Sequence, residues 1–352
     1  MKRLKENMEY LSSLFLAIFL ALLIGAVIML LNGKNPLDGY GALLKGALGS
    51  KRVIATTLSK TVPLIVTGLA TALSFKSGIF NIGGEGQLYM GAFAAAYVGF
   101  TFTNLPAFAG IALAILAAFV VGALYAFIPG YLKVKHNIDE VITTIMFNSI
   151  AIMFTSYLVN YPFAADQGKM GGTNMIAEIF KFPKLVSLSK LNTSIFYTAI
   201  IALGIYYLMT KTSVGYNLKI VGENGTFAKY SGLNNKKYMM GAMLASGGLC
   251  GVAGAFEVYG THYRFLQNIS KGLAFDGMLI ALIVKNNPIG IVLMSGFFAI
   301  LKTGSNAMEI TTGVPAELVL VIQSVIILFI AGEDGFKKIL KRRKLTKRKM
   351  VS

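Results

Sequence analysis

The chain has 352 residues, of which 55% are apolar and 14% charged, with a mean hydropathy of +0.66 and a formal net charge of +18. A water-soluble domain of this length needs far more charge to cover its surface, so that class is excluded and a polytopic membrane protein remains. The excess charge sits on lysines that flank apolar runs and in the closing stretch KKILKRRKLTKRKM, a pattern that suits anionic lipid headgroups and excludes a nucleic-acid partner.

The first apolar run, Leu11–Leu31, exceeds the ~7–15 residues of a signal-peptide core, and LNGKNP is no cleavage site, so a retained first span is expected. A polar segment from Asn32 to Lys60 follows, with a surface helix around Tyr40–Leu48. Thr61–Phe75 is the second apolar run, interrupted early by Pro63. FKSGIFNIGGEGQLYMGAFAAAYVGF then opens a third span with a glycine-rich polar patch, and Leu105–Tyr131 is a fourth. After the turn KVKHNIDE comes a fifth, Val141–Val159, and Asn160–Thr193 is a second long polar excursion. Ser194–Met209 makes the sixth span.

A basic island, Lys211–Lys237, separates two apolar territories. Lys211, Lys219, Lys229, Lys236 and Lys237 stand there against one acid, Glu223. Between Gly222 and Gly232 there is room for about two helical turns, with glycine at either side as stop signals. Beyond it, Tyr238–Tyr259 is a seventh span whose glycines and alanines suit close helix packing. Leu273–Val284 and Pro288–Leu301 are short runs joined by KNNP, either two spans or a re-entrant hairpin. Pro315–Ile330 is the last. About ten runs place both termini on one side. Most Lys and Arg of the short connections share that side, which makes it cytoplasmic.

Ionisable and amide groups at membrane depth are functional candidates by default. Asn81, Glu85 and Gln87 lie within the glycine patch, and Asp276 sits beside Gly277 at the start of the eighth run. Interrupted segments at matching places in two halves of opposite orientation point to a transport pathway. The competing reading makes both patches interfacial turns whose glycines serve packing. Asn148 and Gln323 are mid-span amides suited to interhelical hydrogen bonds or to the same pathway. Cys250 stands alone in an apolar run, which excludes an internal disulfide, and His136 and His262 lack partners at metal-ligand spacing. With no GxxxxGK[ST], GxSxG or HExxH, the chain carries no ATPase or hydrolase site of its own, and no catalytic residue or cofactor is expected. Three functions stay open from the residues alone: a permease driven by a partner, an ion-coupled secondary transporter of a polar small molecule, and a membrane enzyme acting on lipid.

FNIGGEGQLYMGAF, KHNIDEVITTIMFNSIA, GENGTFAKYSGL, AFDGMLIALIVKNNPIGI and GVPAELVLVIQ, in that order, resemble the permease subunits of bacterial ABC importers for simple sugars and nucleosides. The NIGxEGQ form looks like the branch that serves nucleosides through basic-membrane-protein-type lipoproteins. The resemblance implies an all-α fold of about ten helices, with two inverted halves after a first helix. It divides the chain into a cytoplasmic N-terminus (1–10), one membrane domain (11–331) and a basic cytoplasmic tail (332–352). Within the membrane domain the first half covers about 61–160 and the second about 238–331. It implies residence in the bacterial cell membrane with both termini cytoplasmic. The implied partners are a cytoplasmic ABC ATPase, a second permease of the same or a paralogous chain, and an extracellular substrate-binding lipoprotein. The island at about 211–237 then corresponds to the coupling loop, with Gly222, Glu223, Asn224, Ala228, Lys229, Tyr230 and Gly232 as its contact residues. Asn81, Glu85, Gln87, Asn148, Asp276 and Gln323 are the expected pathway residues. The loop departs from the family's usual form at NGTFAKYSG, as does the connection at VKNNP.

Overall fold

The computed structural model describes residues 2–165 and 171–329. The basic tail expected at 332–352 lies outside them. Among the described residues the chain is helical, and two isolated antiparallel bridges, Gly172 with Leu266 and Lys184 with Asn192, are its β pairing. The helices are α1 (Lys2–Leu31), α2 (Pro36–Leu48), α3 (Lys51–Lys76), α4 (Gly84–Thr101), α5 (Ala107–His136) and α6 (Glu140–Asn160). After the second polar excursion come α7 (Ser194–Lys211), α8 (Ser213–Glu223), α9 (Gly225–Tyr230) and α10 (Asn235–Glu257). A π turn, Val258–His262, continues α10, and α11 (Leu273–Ile283), α12 (Pro288–Thr312) and α13 (Leu318–Phe329) complete the described chain.

Each apolar run expected from the sequence overlaps one of these helices among the described residues. Six helices among the described residues are long and apolar enough to cross a membrane: α3, α5, α6, α7, α10 with its π turn, and α12. The apolar parts of α1, α11 and α13 are shorter, and α4 has 18 residues. Two boundaries differ from expectation by ten residues or more. Helix α3 starts at Lys51, ten residues before the apolar run, because Ser50 Oγ accepts from Val53 N and starts the helix on polar sequence. Helix α12 does not stop at Leu301 but runs to Thr312, so the second of the two runs around KNNP is long enough to span. The first, α11, is not: at 1.5 Å per residue its 11 residues reach only ~16 Å.

Local chemistry sets the other ends. Asn35 Oδ1 accepts from Leu37 N at the start of α2, with Pro36 in the first turn. Asp139 Oδ1 accepts from Val141 N and Ile142 N at the start of α6. Asn137, left-handed at φ 54°, closes α5 and turns the chain toward α6.

The chain forms two compact units, one from residues up to Val53 together with those from Ile300 onward, the other from Ile54 to Ala299. In the first, Tyr40 Oη donates to Leu22 O at 2.5 Å and pins α2 to α1. Helix α2 also meets the end of α12 at near-backbone distance: a Cβ on Gly304 would stand 2.3 Å from Leu43 O. In the second unit α4, α5 and α10 pack as a tight trio. A Cβ on Gly251 of α10 would lie 2.1 Å from Ala118 O of α5, and one on Gly91 of α4 would lie 2.2 Å from Gly251 Cα. Lipid tails are as apolar as leucine, so helices in a bilayer associate through such close contacts rather than through exclusion of water. The glycine-rich stretch of α10 is therefore a packing face. The polar segment at 171–193 folds over the same unit, with Ala177 N donating to Gly99 O at 3.0 Å and Phe182 N to Tyr259 O at 3.0 Å.

This packing makes a paired prediction. Gly251→Ala drives a methyl into the α5 backbone and is expected to destabilise by about 1–3 kcal/mol, the usual cost of overpacking. Gly204→Ala on α7, where a Cβ meets nothing within 4 Å, is expected to be neutral or slightly stabilising. Thermal unfolding of the two detergent-purified variants checks the difference, and equal midpoints would contradict it.

Candidate functional site

Helix α4 begins inside the second unit rather than at its edge. Its first turn touches Asn148, eight residues into α6, and the preceding linker touches Ser246, eleven residues into α10. At 1.5 Å per residue these contacts lie ~12 and ~16 Å along their helices. A helix that starts at such depth has free N–H groups where no water can meet them. The sequence supplies acceptors for them.

Asn148 Oδ1 accepts from Gly86 N at 2.8 Å, and its Nδ2 donates to Ile82 O at 3.0 Å. Asn81 and Gln87 form a reciprocal amide pair, Asn81 Nδ2 to Gln87 Oε1 at 2.9 Å and Gln87 Nε2 to Asn81 Oδ1 at 3.0 Å. Asn81 Oδ1 also takes Gly83 N at 3.0 Å, and its Nδ2 reaches Ser246 Oγ at 2.9 Å. All of these side chains are buried. The glycines are not a break within the helix. They let it start against its neighbours: a Cβ on Gly86 would lie 3.0 Å from Asn148 Cα, and one on Gly84 would lie 3.1 Å from Cys250 Sγ.

Glu85 joins the second interrupted segment to the first. Its Oε1 accepts from Gly272 N at 3.1 Å and its Oε2 from Ala274 N at 3.0 Å, so this carboxylate caps the start of α11. An acidic group is favoured there by the helix dipole as well as by the two hydrogen bonds. Gly272, at φ +84°, makes the turn that presents both N–H groups, and Ser270 Oγ accepts from Leu273 N at 3.2 Å. One turn along α4, Tyr89 Oη donates to Ser270 O at 2.7 Å. Asp276 lies buried in the first turn of α11.

The structure thus gathers Asn81, Glu85, Gln87 and Asn148 around the start of α4, with Asp276 on the helix that Glu85 caps. Gln323 belongs to the other unit, on α13, where its Nε2 is buried without a hydrogen-bond partner among the described residues. Ser246, Ser270 and Glu140 were not singled out from the sequence. Ser246 had one signal, a hydroxyl among the small residues of a packing face.

The polar island folds as two short helices. Thr212 Oγ1 accepts from Gly215 N and starts α8, and Asn224 Oδ1 accepts from Phe227 N and starts α9. Ala228 is fully buried, and Gly232, at φ +80°, ends α9 with Leu233 N bonded back to Ala228 O at 2.9 Å. Lys219 and Glu223 face one another at 3.7 Å on the exposed side of α8. Phe227 and Tyr230 are 58% and 88% exposed, so α9 shows two aromatic rings to the outside. The short helix and its closing glycine agree with the sequence. Gly222 does not: it lies inside α8, which runs to Glu223, and the break falls at Asn224.

A family model described as the permease component of a branched-chain amino acid transport system matches residues 53–331. The chain is 35% identical to a guanosine ABC transporter permease of Bacillus subtilis, over 96% of this chain and 98% of that one. It is 34% identical to a nucleoside ABC transporter permease of Lactococcus lactis, over 94% and 93% of the two chains. A glucose ABC transporter permease of Haloferax volcanii is 33% identical over 92% of this chain and 87% of its own.

The cap on α11 generates a graded prediction. Glu85→Ala leaves the buried Ala274 N and the part-buried Gly272 N without their acceptor and is expected to destabilise by roughly 1–3 kcal/mol. Glu85→Gln keeps one acceptor oxygen and is expected to lose less. Thermal unfolding of the solubilised chain orders the three proteins, and an alanine variant as stable as the parent would contradict the cap.

Proposed function

The chain belongs to the family of branched-chain amino acid transport system permease components, and from this premise we propose that it carries nucleosides inward, powered by a separate ATPase subunit. It is an ABC transporter permease and a membrane protein. Purine nucleosides are the favoured substrate, and simple sugars the alternative. The NIGxEGQ form of the linker supports this, as do the two relatives named for guanosine and for nucleosides. The relative named for glucose keeps the sugar arm in the experiment. Delivery by an extracellular lipoprotein and pairing with a second permease, the same chain or a paralogue, complete the proposal.

The observation that carries the reading is α9: a short, doubly capped helix on a basic connector, offering Phe227 and Tyr230 to a partner. Aromatic side chains are the usual anchors of such interfaces. Placing the connector in the cytoplasm, as its lysines favour, puts these rings where an ATPase can bind them. Glu223, Asn224, Ala228, Lys229, Tyr230 and Gly232 then form or support the docking surface, whereas Gly222 packs against Lys76 O and Gly78 N rather than facing the partner. ATP binding in the partner drives the permease between two states only through a difference in its affinity for them. The route for substrate runs beside the buried polar layer, with Asn81, Glu85, Gln87, Asn148 and Asp276 as its proposed border; Gln323, in the other unit, stays a separate pathway candidate. Helices that begin at membrane depth are the usual builders of such routes.

Uptake of labelled guanosine, a pyrimidine nucleoside, ribose and glucose, in cells with and without this gene, tests the substrate. The expected result is nucleoside uptake that is lost when the partner ATPase is inactivated. Uptake that survives that loss but collapses with an uncoupler would instead establish an ion-coupled carrier. At the docking surface, Tyr230→Ala is expected to weaken ATPase association by about 2 kcal/mol or more, as removal of an exposed aromatic anchor does. Membrane insertion is expected to be unchanged. Co-purification of the ATPase with the variant at the parental level would contradict the assignment.

A further inference from the structure

The linker between α3 and α4, residues 77–83, is held from three directions. At its start, Gly222 of α8 meets the end of α3 and the linker backbone to backbone: a Cβ on Gly222 would lie 2.3 Å from Lys76 O and 2.9 Å from Gly78 N. Gly78 is left-handed at φ +79°, and a Cβ there would lie 3.1 Å from Gly222 Cα. From the side, Phe80 N donates to Glu140 Oε1 at 3.3 Å, and the other oxygen of Glu140 is paired with Lys133 Nζ of α5 at 2.7 Å. Between these grips Ile79 is fully buried against Ala126 of α5 and Met243 of α10. At its far end Asn81 binds Ser246, Gln87 and Gly83 N, which fixes the start of α4.

We propose that this linker transmits movement of the α8–α9 connector to the buried start of α4, through the contact between Gly222 and Gly78. The inference rests on the reading that α8–α9 receives an ATPase, and it adds the part that relays the push. A contact between two backbones has no flexible side chain to absorb displacement, and close-packed interiors pass strain on rather than dissipating it. Helix α8 therefore cannot shift toward α3 without moving Gly78. Glu140 and the buried Ile79 keep the linker from buckling sideways. The displacement then arrives at Asn81, which is bonded to α4, whose Glu85 holds α11. Gly222 and Gly78 are positioning residues in this scheme, as is Glu140.

The test uses the whole transporter, purified with its ATPase and placed in proteoliposomes, with labelled guanosine or whichever substrate of the uptake panel the parent carries. The quantity read is substrate moved per ATP hydrolysed. Gly222→Ala and Gly78→Ala are expected to retain the ATPase on co-purification and to keep hydrolysing ATP. Their transport per ATP is expected to fall about tenfold, within the usual range of coupling between two sites. Gly241→Ala, where a Cβ meets nothing within 4 Å, serves as control and keeps the parental ratio. A contact that served packing alone would lower stability in the glycine variants and leave the ratio unchanged, which would overturn the proposal. Should the glycine variants fail to assemble, Glu140→Ala decides, because it loosens the linker without adding atoms. A parental ratio in that variant overturns the proposal equally. If the parent itself shows no ATP-driven uptake, the functional reading beneath the proposal falls, and that outcome is distinct from a parent that works with variants that match it.

Discussion

The constraint on which this structure turns is the hydrogen-bond debt of a helix that starts where there is no water. A helix ordinarily leaves its first N–H groups to solvent, but within a bilayer each such group costs several kcal/mol unless the protein meets it. Helices α4 and α11 begin beside one another inside the second unit, and the side chains that meet their free groups are Asn81, Asn148, Glu85 and Ser270. The layer is polar because two helix starts are there. Its residues are bonded to backbone and to one another, so their first task is to hold the starts in place. Any route that passes beside them inherits a fixed polar wall.

The same constraint explains where glycine is placed. Close approach of backbones is the main source of affinity between helices in lipid, and a side-chain amide can reach a neighbour's N–H only if nothing stands between. Gly86 permits Asn148 to reach the first turn of α4, and Gly91 and Gly251 bring α4 and α10 together one turn further on. Gly222 follows the same logic on the connector. The sequence made it look like a stop signal, because glycine beside a polar stretch usually ends a helix. In the structure Asn224 performs that task, and Gly222 is small because Lys76 O and Gly78 N lie against it.

Periodicity and composition made much of the fold legible. The order of apolar runs, the connector with its short helix, and the packing face of α10 all follow from residue type and spacing. The end of α12 was hidden because Lys302, Ser305 and Glu309 look like the exit from a membrane span. The helix continues because Gly304 packs against Leu43 of α2, and contacts of that kind override the local preference. Of the candidate site, the carboxylates beside glycine were visible, but their bonding was not. Glu85 and its partner Gly272 are 187 residues apart, and no local pattern encodes a pairing across that distance. Glu140 was passed over as part of a charged turn because its role depends on Phe80, sixty residues away.

The proposed drive by a separate ATPase sets two opposed demands on the permease. Its core has to be rigid enough that a push at one end is felt at the other, yet it must have two arrangements of nearly equal free energy for that push to select between. The second unit divides these demands by place. The trio of α4, α5 and α10 is locked by glycine contacts, whereas the linker at 77–83 joins α3 to α4 through irregular backbone held by a few bonds. In the proposed relay the linker, gripped by Gly222, Glu140 and Ser246, moves as one piece and carries displacement to the start of α4 and to the start of α11 that Glu85 caps. The buried amides and the Glu85 carboxylate keep those two places in register, so that the interrupted helices respond together.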